Sequence, residues 1–327
     1  MSLYVNLAKK TIYRFFVFLI VISLVFLIPR LAPGTPIDYL VEDPRVPPEI
    51  RVELIKKFGL DKPIFPDQYI QFLVNFFTKL DLGFSFTYQE PVMKVILERL
   101  VWSVVLMGGA LLVSIPAGVS IGLLLAWRRG SHDYIATLVL LFLRSFPTFW
   151  FGMILILVLS YHYKLFPSGG ATTPGAIYSN IFDMFRDVLY HITLPIITLS
   201  TVYIPRYALI TRANALNVVN EDFVLVGVAK GLSSRQILLS YILRNTLLPV
   251  MTVASIDIGF IVGGAIVTET VFSYPGMGTL IYTAVFNRDY PLLLGVFTIV
   301  SALTLALITV VEYLYTFIDP RVRVREV

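Results

Sequence analysis

Residues 220–249 read NEDFVLVGVAKGLSSRQILLSYILRNTLLP and lie between two long apolar stretches, residues 192–210 and 247–272. The segment carries charges and a helical spacing of apolar residues, whereas the stretches on either side are almost entirely apolar. A structured polar segment between two such stretches is typical of a membrane protein that presents a surface to a soluble partner. We therefore predict that the 220–249 segment lies outside the membrane, between two helices that cross it.

The composition supports a membrane protein. Of 327 residues, 57% are hydrophobic and 14% are charged, and the mean hydropathy is +0.80, which is too apolar for a soluble domain. The absence of cysteine excludes disulfides, thiolate metal sites and cysteine nucleophiles. The net charge of +5 is better explained by its distribution along a membrane chain than by a nucleic-acid partner, so we predict none.

Six stretches are long enough to cross a hydrocarbon core of about 30 Å, which requires roughly 20 apolar residues. The first lacks a small-residue cleavage site and is longer than a signal-peptide core, so it is expected to be a retained helix. The sequence therefore predicts an all-α polytopic membrane protein with six transmembrane helices. The predicted spans are residues 12–31, 100–127, 135–161, 192–210, 247–272 and 292–317.

Basic residues near the span ends predict the orientation, because Lys and Arg are retained on the cytoplasmic side. With six spans, both ends of the chain and the loops after the second and fourth spans fall on one side. These regions hold Lys9, Lys10, Arg14, Arg128, Arg129, Arg212, Lys230, Arg235, Arg244, Arg321, Arg323 and Arg325. We therefore expect a multi-pass protein of the cell membrane with both termini and the 220–249 segment in the cytoplasm.

The spans divide the chain into regions. These are residues 1–31 with the first helix, 32–99 on the outer side, 100–318 as a five-helix core containing a cytoplasmic loop at 213–246, and the tail 319–327. The outer region begins rich in proline and then shows two helical patterns, at residues 48–58 and 67–80. Either it is a scaffold packed on the outer ends of the helices, or it contacts a protein that delivers the substrate.

Two short helices are predicted within the 220–249 segment. Glu221 and Asp222 favour the start of a helix at residues 223–229, and Gly231 allows the positive φ that ends it. Ser233 and Gln236 have the spacing of a capping box for a second helix, residues 234–245. We expect this second helix to lie along the membrane interface before the chain enters the membrane at Leu247. A short exposed helix with apolar and small residues fits a groove in another protein.

The 220–249 segment resembles the EAA loop of ABC importer permeases, in which a glycine is followed downstream by a Leu-Pro pair. Here Pro249 follows Gly231 by 18 residues, a spacing similar to that of the dipeptide, oligopeptide and nickel permease family. The matching residues are Ala229, Lys230, Gly231, Leu232, Arg244, Asn245, Leu247, Leu248 and Pro249. Leu225 and Val226 depart from the first positions of the motif, where only Gly227 keeps the small character.

Further strings along the chain resemble the same family. They are GLDKP at 59–63, DLGFS at 81–85, LFPSGG at 165–170, HITLP at 191–195, GGA at 263–265, ETVF at 269–272, PGMG at 275–278 and DPRVR at 319–323. The resemblance implies a type I ABC importer permease fold with a small helical insertion between the first two spans. It also implies a permease subunit of an ATP-driven importer for di- and oligopeptides or similar small solutes, such as oligosaccharides or nickel chelates.

The resemblance implies several partners: a second homologous permease in a heterodimer, two ATP-binding subunits and an extracytoplasmic solute-binding protein. The sequence agrees with this division, because it contains no GxxxxGK[ST] loop to hold ATP phosphates. ATP and magnesium are thus expected on the partners, with no cofactor and no catalytic residue on this chain. The implied coupling residues are Glu221, Asp222, Gly227, Ala229, Lys230, Gly231 and Leu232.

Asp257 is the candidate for the translocation path, because an ionisable residue inside a span usually faces a cavity or a partner. Two interpretations stay open: the carboxyl contacts a passing substrate, or it is protonated or pairs with a neighbouring helix. Ser255 and Gly259 are assigned to the same path, and Pro275, Gly276 and Gly278 to an outer loop that gates it. The three histidines lack metal-ligand spacing, so no metal is predicted.

Other polar and small residues in the spans have simpler expected roles. Arg206 is expected near a span end, where its side chain reaches the interface, and Glu269 and Glu312 are expected close to the two interfaces. Gly259 and Gly263 have the GxxxG spacing that allows close helix packing.

Two other function classes were weighed. An ion-coupled transporter would need more spans and more intramembrane carboxylates, and an intramembrane enzyme would need a motif such as HExxH, which is absent.

Overall fold

The computed structural model describes residues 2–31, 61–128 and 130–318. These residues form helices joined by loops and contain no β-strand, only an isolated bridge between Phe84 and Pro91. The helix predicted at 48–58, the tail 319–327 and the side chain of Glu312 lie outside the described residues. Over the described ranges the chain is an all-α membrane protein, as predicted.

Eleven helices are described, and we number them in chain order. They are α1 Ser2–Leu31, α2 Tyr69–Lys79, α3 Val92–Trp127, α4 Ser131–Ser145, α5 Thr148–His162, α6 Ile181–Val219, α7 Asp222–Ala229, α8 Ser234–Gly263, α9 Ile266–Val271, α10 Met277–Phe286 and α11 Tyr290–Ile318. Helices α1, α3, α6, α8 and α11 are each long and apolar enough to cross a membrane.

The third predicted span, residues 135–161, is not one straight helix. It consists of α4 and α5, which meet at an angle of 91° and together count as a sixth span. The break falls at Phe146 and Pro147, both of which have extended backbone angles. Proline disfavours the helical conformation of the residue before it and has no N–H to continue the helix, which explains the bend.

The fifth predicted span, residues 247–272, is also corrected. Helix α8 starts earlier, at Ser234, and ends at Gly263 as a 3-10 turn from Phe260. Gly264 then has φ +67°, a conformation that favours glycine, and the chain continues into the separate short helix α9. Because the backbone tightens after Gly259, the GxxxG spacing of Gly259 and Gly263 does not lie on one regular α-helical face.

The outer helical pattern predicted at residues 67–80 is α2 preceded by a π-helical turn, Ile64–Gln68. The sequence pattern predicts one apolar face made of Ile70, Leu73, Phe76, Phe77 and Leu80. Phe76 is buried, whereas Ile70 and Phe77 are exposed. Leu80 lies beyond the helix end in a left-handed conformation, with φ +52°. The predicted apolar face is therefore only partly used within this chain.

The chain forms two compact units, and the first comprises residues 1–101 and 277–327. In this unit α1 packs along α11, and Arg14 donates a hydrogen bond to the Thr309 hydroxyl at 2.8 Å. Asp289, just before α11, is buried and accepts hydrogen bonds from the Ser85 hydroxyl at 2.6 Å and the Thr87 amide at 2.9 Å. This carboxylate ties the DLGFS string at 81–85 to the start of α11. The core includes Phe18, Ile22, Phe76, Val92, Ile96, Leu280, Leu292 and Val296.

The second unit comprises residues 102–276 and is organised around α6. Helices α4, α5, α8 and α9 all contact α6, whose buried side chains run from His191 to Ala215. With 39 residues, α6 extends on both sides of the predicted 192–210 span. The hydropathy of the sequence marks only its apolar middle, because the helix continues where charged residues begin.

Two glycines bring α3 against α6 in the second unit. A Cβ added at Gly118 would lie 2.5 Å from Cβ of Tyr207 and 2.8 Å from the carbonyl oxygen of Ile204. One added at Gly122 would collide with the carbonyl of Ala208 and lie 2.6 Å from Thr211 Cβ. Gly118 and Gly122 have the four-residue spacing that lets two helix backbones approach closely. A close GxxxG contact therefore lies in α3, and close packing at Gly259 and Gly263 stays a prediction.

Replacement of Gly118 by alanine should destabilise the protein by about 1–3 kcal/mol, because the new methyl group meets backbone atoms of α6 that cannot rotate away. The matched control is Gly108→Ala in the same helix, where nothing lies within 4 Å of an added Cβ. That change should be neutral or stabilising by up to about 1 kcal/mol. Thermal unfolding of the purified protein in detergent measures both; equal melting temperatures for the two variants would contradict the packing described.

Candidate functional site

The start of the 220–249 segment folds as the sequence predicts. Helix α7 begins after Glu221 and ends at Ala229, and Gly231 has φ +73°. Ser233 and Gln236 form the capping box: the Gln236 side chain accepts from the Ser233 amide at 2.9 Å, and the Ser233 hydroxyl accepts from the Gln236 amide. These features depend on neighbours in sequence, which is why local rules find them.

The sequence predicts a separate interfacial helix at residues 234–245. The structure does not have one. Helix α8 runs from Ser234 into the membrane span without a break, through a π-helical stretch at Ile237–Leu243. Arg244 and the residues around it keep helical backbone angles. The segment therefore joins the span as one continuous rod of 30 residues, and no loop separates them.

Helix α7 has a buried face and an exposed face. Val224 is 3% exposed and Gly227 is also buried, both turned towards the start of α8. Leu225, Val226 and Val228 are 61%, 51% and 56% exposed. These three exposed apolar side chains, Leu225, Val226 and Val228, form a protrusion on the surface of a short helix, which we call the apolar knob.

Gly227 packs inside this pair of helices. A Cβ added there would lie 3.7–3.8 Å from side-chain atoms of Leu232, Ile237 and Tyr241, which is ordinary van der Waals contact. Of the other predicted coupling residues, Leu232 is half-buried, and the exposed ones are Glu221, Asp222, Ala229, Lys230 and Gly231. Gly227 thus lies at the contact between α7 and α8 and not on the exposed face with the knob.

Asp257 belongs to a buried polar cluster between α6 and α8. Its carboxylate is 2.8 Å from Nη1 of Arg206 and accepts a hydrogen bond from the Tyr207 hydroxyl at 2.7 Å. Asp257 is 5% exposed, whereas Arg206 is 32% exposed. The structure therefore pairs Asp257 with a neighbouring helix, one of the two interpretations that the sequence left open, and its contact with substrate stays a prediction.

Arg206 lies near the end of the predicted 192–210 span, and the reach of its side chain to the membrane interface stays a prediction. The residue lies within the long helix α6, with Ile210 and Thr211 continuing the helix beyond it. A basic and an acidic residue, each inside a different apolar span, are the signal that predicts such a pair, because buried charges in membranes are usually paired. The signal is present in the sequence at Arg206 as well as at Asp257.

The other two residues assigned to the path do not join Asp257. Successive residues of an α-helix are turned by about 100°, so Asp257 lies on the side of α8 opposite Ser255 and Gly259. The Ser255 hydroxyl donates to the carbonyl of Met251 at 2.6 Å, within its own helix. The three residues therefore do not line one surface together.

A second ion pair joins α4 to α6. Nε and Nη2 of Arg212 donate to the two oxygens of Asp133, at 2.5 and 2.6 Å. Arg212 was expected in a loop but lies inside α6. Its side-on, two-bond contact is the strongest arrangement of a guanidinium with a carboxylate, and it ties the first arm of the bent span to α6.

Glu269, for which a position close to a membrane interface stays a prediction, is fully buried within the protein. Its carboxylate accepts a hydrogen bond from the Ser103 hydroxyl at 2.7 Å and from the Ala265 amide at 3.2 Å. A Cβ added at Gly276 would collide with this carboxylate and with the Ser103 hydroxyl. Gly276 therefore has a packing role; Pro275 is half-buried and Gly278 lies within α10, so their part in a gate stays a prediction.

A surface groove lies beside the first turns of α6, lined in part by Phe166, Tyr178 and Arg186. Asp187 accepts hydrogen bonds from the Thr173 amide at 2.7 Å and from the Tyr178 hydroxyl at 2.6 Å. The bond to this carboxylate raises the pKa of Tyr178 above its ordinary value. These contacts fix the loop before α6 onto the helix. No group of side chains that could hold a metal ion occurs among the described residues.

Comparisons with known proteins agree with this architecture. Residues 118–324 match the family described as the binding-protein-dependent transport system inner membrane component. The oligopeptide transport system permease protein AppB of Bacillus subtilis is 34% identical over 316 residues, or 96% of this chain and 98% of that protein. The di/tripeptide transport system permease protein DppB of Pseudomonas aeruginosa is 33% identical, covering 92% and 93%. The dipeptide transport system permease protein DppB of Escherichia coli is 31% identical, also covering 92% and 93%.

The packing of Gly227 predicts different effects for a small and a large side chain. Gly227→Ala should be neutral or stabilise α7 by up to about 1 kcal/mol, because the methyl group fits and alanine favours a helix. Gly227→Leu should weaken the packing of α7 on α8 by about 1–3 kcal/mol. Amide hydrogen exchange of residues 222–243 measures this opening directly. Faster exchange in the alanine variant than in the leucine variant would contradict the assignment.

Proposed function

The chain belongs to the family of binding-protein-dependent transport system inner membrane components, as the permease subunit of a peptide importer, and we propose that its 220–249 segment couples transport to ATP hydrolysis on a partner. In this family of ABC transporters the permease is not an enzyme, and the ATPase is a separate component. The absence of a phosphate-binding loop from the sequence is consistent with that division.

The complete transporter contains permease, ATPase and binding-protein components. We propose a specific assembly: a heterodimer with a second homologous permease, two ATP-binding subunits that carry ATP and magnesium, and an extracytoplasmic solute-binding protein. The lipid bilayer surrounds the permease. Both termini and the 220–249 segment lie in the cytoplasm in this proposal, supported by the Lys and Arg residues near those span ends.

The observation that carries the coupling proposal is the apolar knob of Leu225, Val226 and Val228. A short helix that exposes apolar side chains fits a groove on a soluble partner. The buried face, formed by Val224 and Gly227, packs α7 against α8. This packing fixes the position of the knob relative to α8. Docking then depends on shape more than on the charges of Glu221 and Asp222.

The same observation gives a route for the coupling. Closure of the two ATPase subunits would move α7, and the packing at Gly227 would carry that movement to α8. Because α8 is continuous with its membrane span, a shift at Ser234 becomes a tilt of the helix that carries Asp257. Such a tilt would open a central path alternately to the two sides of the membrane.

We propose di- and oligopeptides as the transported solutes. The three relatives are named as permeases for oligopeptides, di- and tripeptides, and dipeptides. Residues Asp257, Ser255 and Gly259 are the proposed path residues, of which Asp257 has support from its buried charge. Pro275, Gly276 and Gly278 remain the proposed outer gate.

Replacing Leu225 by aspartate should uncouple the transporter. The new carboxylate would lose its hydration in the apolar groove that accepts the knob, so peptide uptake should fall by at least about tenfold. ATP hydrolysis should continue, or should no longer depend on the presence of peptide. Peptide uptake and ATP hydrolysis measured in parallel in proteoliposomes test this.

Leu225→Met is the control at the same position, because it keeps the apolar volume, and it should retain most of the uptake. Glu221→Gln combined with Asp222→Asn tests the role of charge and should also retain most of it. Coupled uptake at the normal rate in Leu225→Asp, or its loss in the Glu221 and Asp222 variant alone, would refute docking by shape.

Reconstitution tests the source of energy. We expect uptake only when the permeases, the ATP-binding subunits and the solute-binding protein are all present with ATP and magnesium. Omission of the ATP-binding subunits should abolish uptake even with an imposed proton or sodium gradient. Uptake driven by such a gradient without the ATPases would favour an ion-coupled transporter instead.

A further inference from the structure

Arg206 is an arginine within a membrane span whose charge is only partly satisfied by the chain. Nη1 of its guanidinium is 2.8 Å from Asp257, and the side chain is 32% exposed although its partner is 5% exposed. Asp257 lies ~20 Å along α8 from Arg244, well inside the hydrophobic part of the protein. One side of the guanidinium is therefore held in the cluster, and the other side reaches a surface.

That surface is unsuited to lipid. A guanidinium that faces hydrocarbon is costly, so an arginine inside a span normally faces a water-filled cavity or a partner. Resting on the proposed function of the chain as a path for peptides, we propose that Arg206 binds the C-terminal carboxylate of a peptide in transit and that Asp257 positions its guanidinium.

The geometry favours a carboxylate. A guanidinium has two nitrogens, Nε and Nη2, along one edge that match the two oxygens of a carboxylate. Arg212 of the same helix binds Asp133 through this edge, at 2.5 and 2.6 Å. In Arg206 the paired nitrogen is Nη1, and no second carboxylate pairs with this guanidinium in the described part of the second unit. The edge formed by Nε and Nη2 is the part of Arg206 able to take a carboxylate from outside the chain.

The C-terminal carboxylate is the anionic group that linear peptides share whatever their side chains. A contact with this group suits a permease that carries many peptides, because it does not depend on any one side chain. Asp257 also limits the strength of the contact, since it already neutralises part of the positive charge. A transport site must bind well enough to receive its solute and weakly enough to release it.

The experiment uses the complete transporter in proteoliposomes, with ATP and with the solute-binding protein saturated by each peptide in turn. The peptide pair is trialanine with a free C-terminus and trialanine amide, and the measured quantity is the ratio of their uptake rates. In Arg206→Gln this ratio should fall by about tenfold. Only the free-acid peptide makes the ionic hydrogen bonds with Arg206, so only its uptake is reduced by their loss. In Arg206→Lys the ratio should lie between those of the unmodified transporter and of Arg206→Gln, because lysine keeps the charge but lacks the planar edge.

Two further variants separate binding from folding. Arg206→Gln combined with Asp257→Asn leaves no unpaired charge in the membrane, so it should fold and still lose the preference for the free acid. Asp257→Asn alone should keep the preference while KM and kcat both fall, because the guanidinium then holds the carboxylate more strongly. Loss of the preference in Asp257→Asn with its retention in Arg206→Gln would overturn the assignment.

The matched control removes the other arginine–aspartate pair of α6. Arg212→Gln with Asp133→Asn should change the uptake of both peptides by the same factor and leave the ratio as in the unmodified transporter. An unchanged ratio in both Arg206 variants, even with lower uptake, would show a structural role only and overturn the proposal. Failure of the carboxylate-binding proposal can be told apart from failure of the proposed function. The second would appear as peptide uptake in the absence of the ATPase subunits.

Discussion

The fold depends on the requirement that charge inside a membrane be paired. Arg206 and Asp257 meet this requirement for each other, and in doing so they hold α6 against α8. Arg212 and Asp133 form a second pair, between α6 and α4, just outside the predicted spans 192–210 and 135–161. Helix α6 therefore takes part in both pairs, and the second unit of the protein is arranged around it. The apolar contacts fill the space between helices, and the two pairs add specific links from α6 to α8 and to α4.

The sequence predicts the helices well and their ends less well. Hydropathy finds each apolar stretch because the membrane demands roughly 20 apolar residues in a row. It does not find where the helix stops, since backbone hydrogen bonds continue through charged residues, as in α6 beyond residues 192–210. The bend at Phe146 and Pro147 follows from local proline chemistry and was available in the sequence. The end of α8 before Gly264 depends on a positive φ, for which glycine is necessary but not sufficient evidence.

The same distinction holds for the candidate sites. The capping box of Ser233 and Gln236 joins residues three apart, so local rules predict it. The buried position of Gly227 depends on side chains of α8, and the pairing of Arg206 with Asp257 joins residues that are distant in sequence. Such contacts are properties of the packed helices. A charge pattern restricts the possible partners, and only the fold selects one of them.

The continuity of α8 fixes an angle as well as a distance. Its 30 residues run from the capping box to Gly263 as one helix, about 45 Å long. One residue added within α8 between Ser234 and Asp257 would lengthen the helix by only ~1.5 Å but would rotate its far part by about 100° relative to α7. Asp257 would then face away from Arg206, or α7 would present another face to its partner. The number of residues between α7 and Asp257 thus sets the angle around the α8 axis at which Asp257 lies relative to α7. Only insertions or deletions of about a whole helical turn would keep that angle.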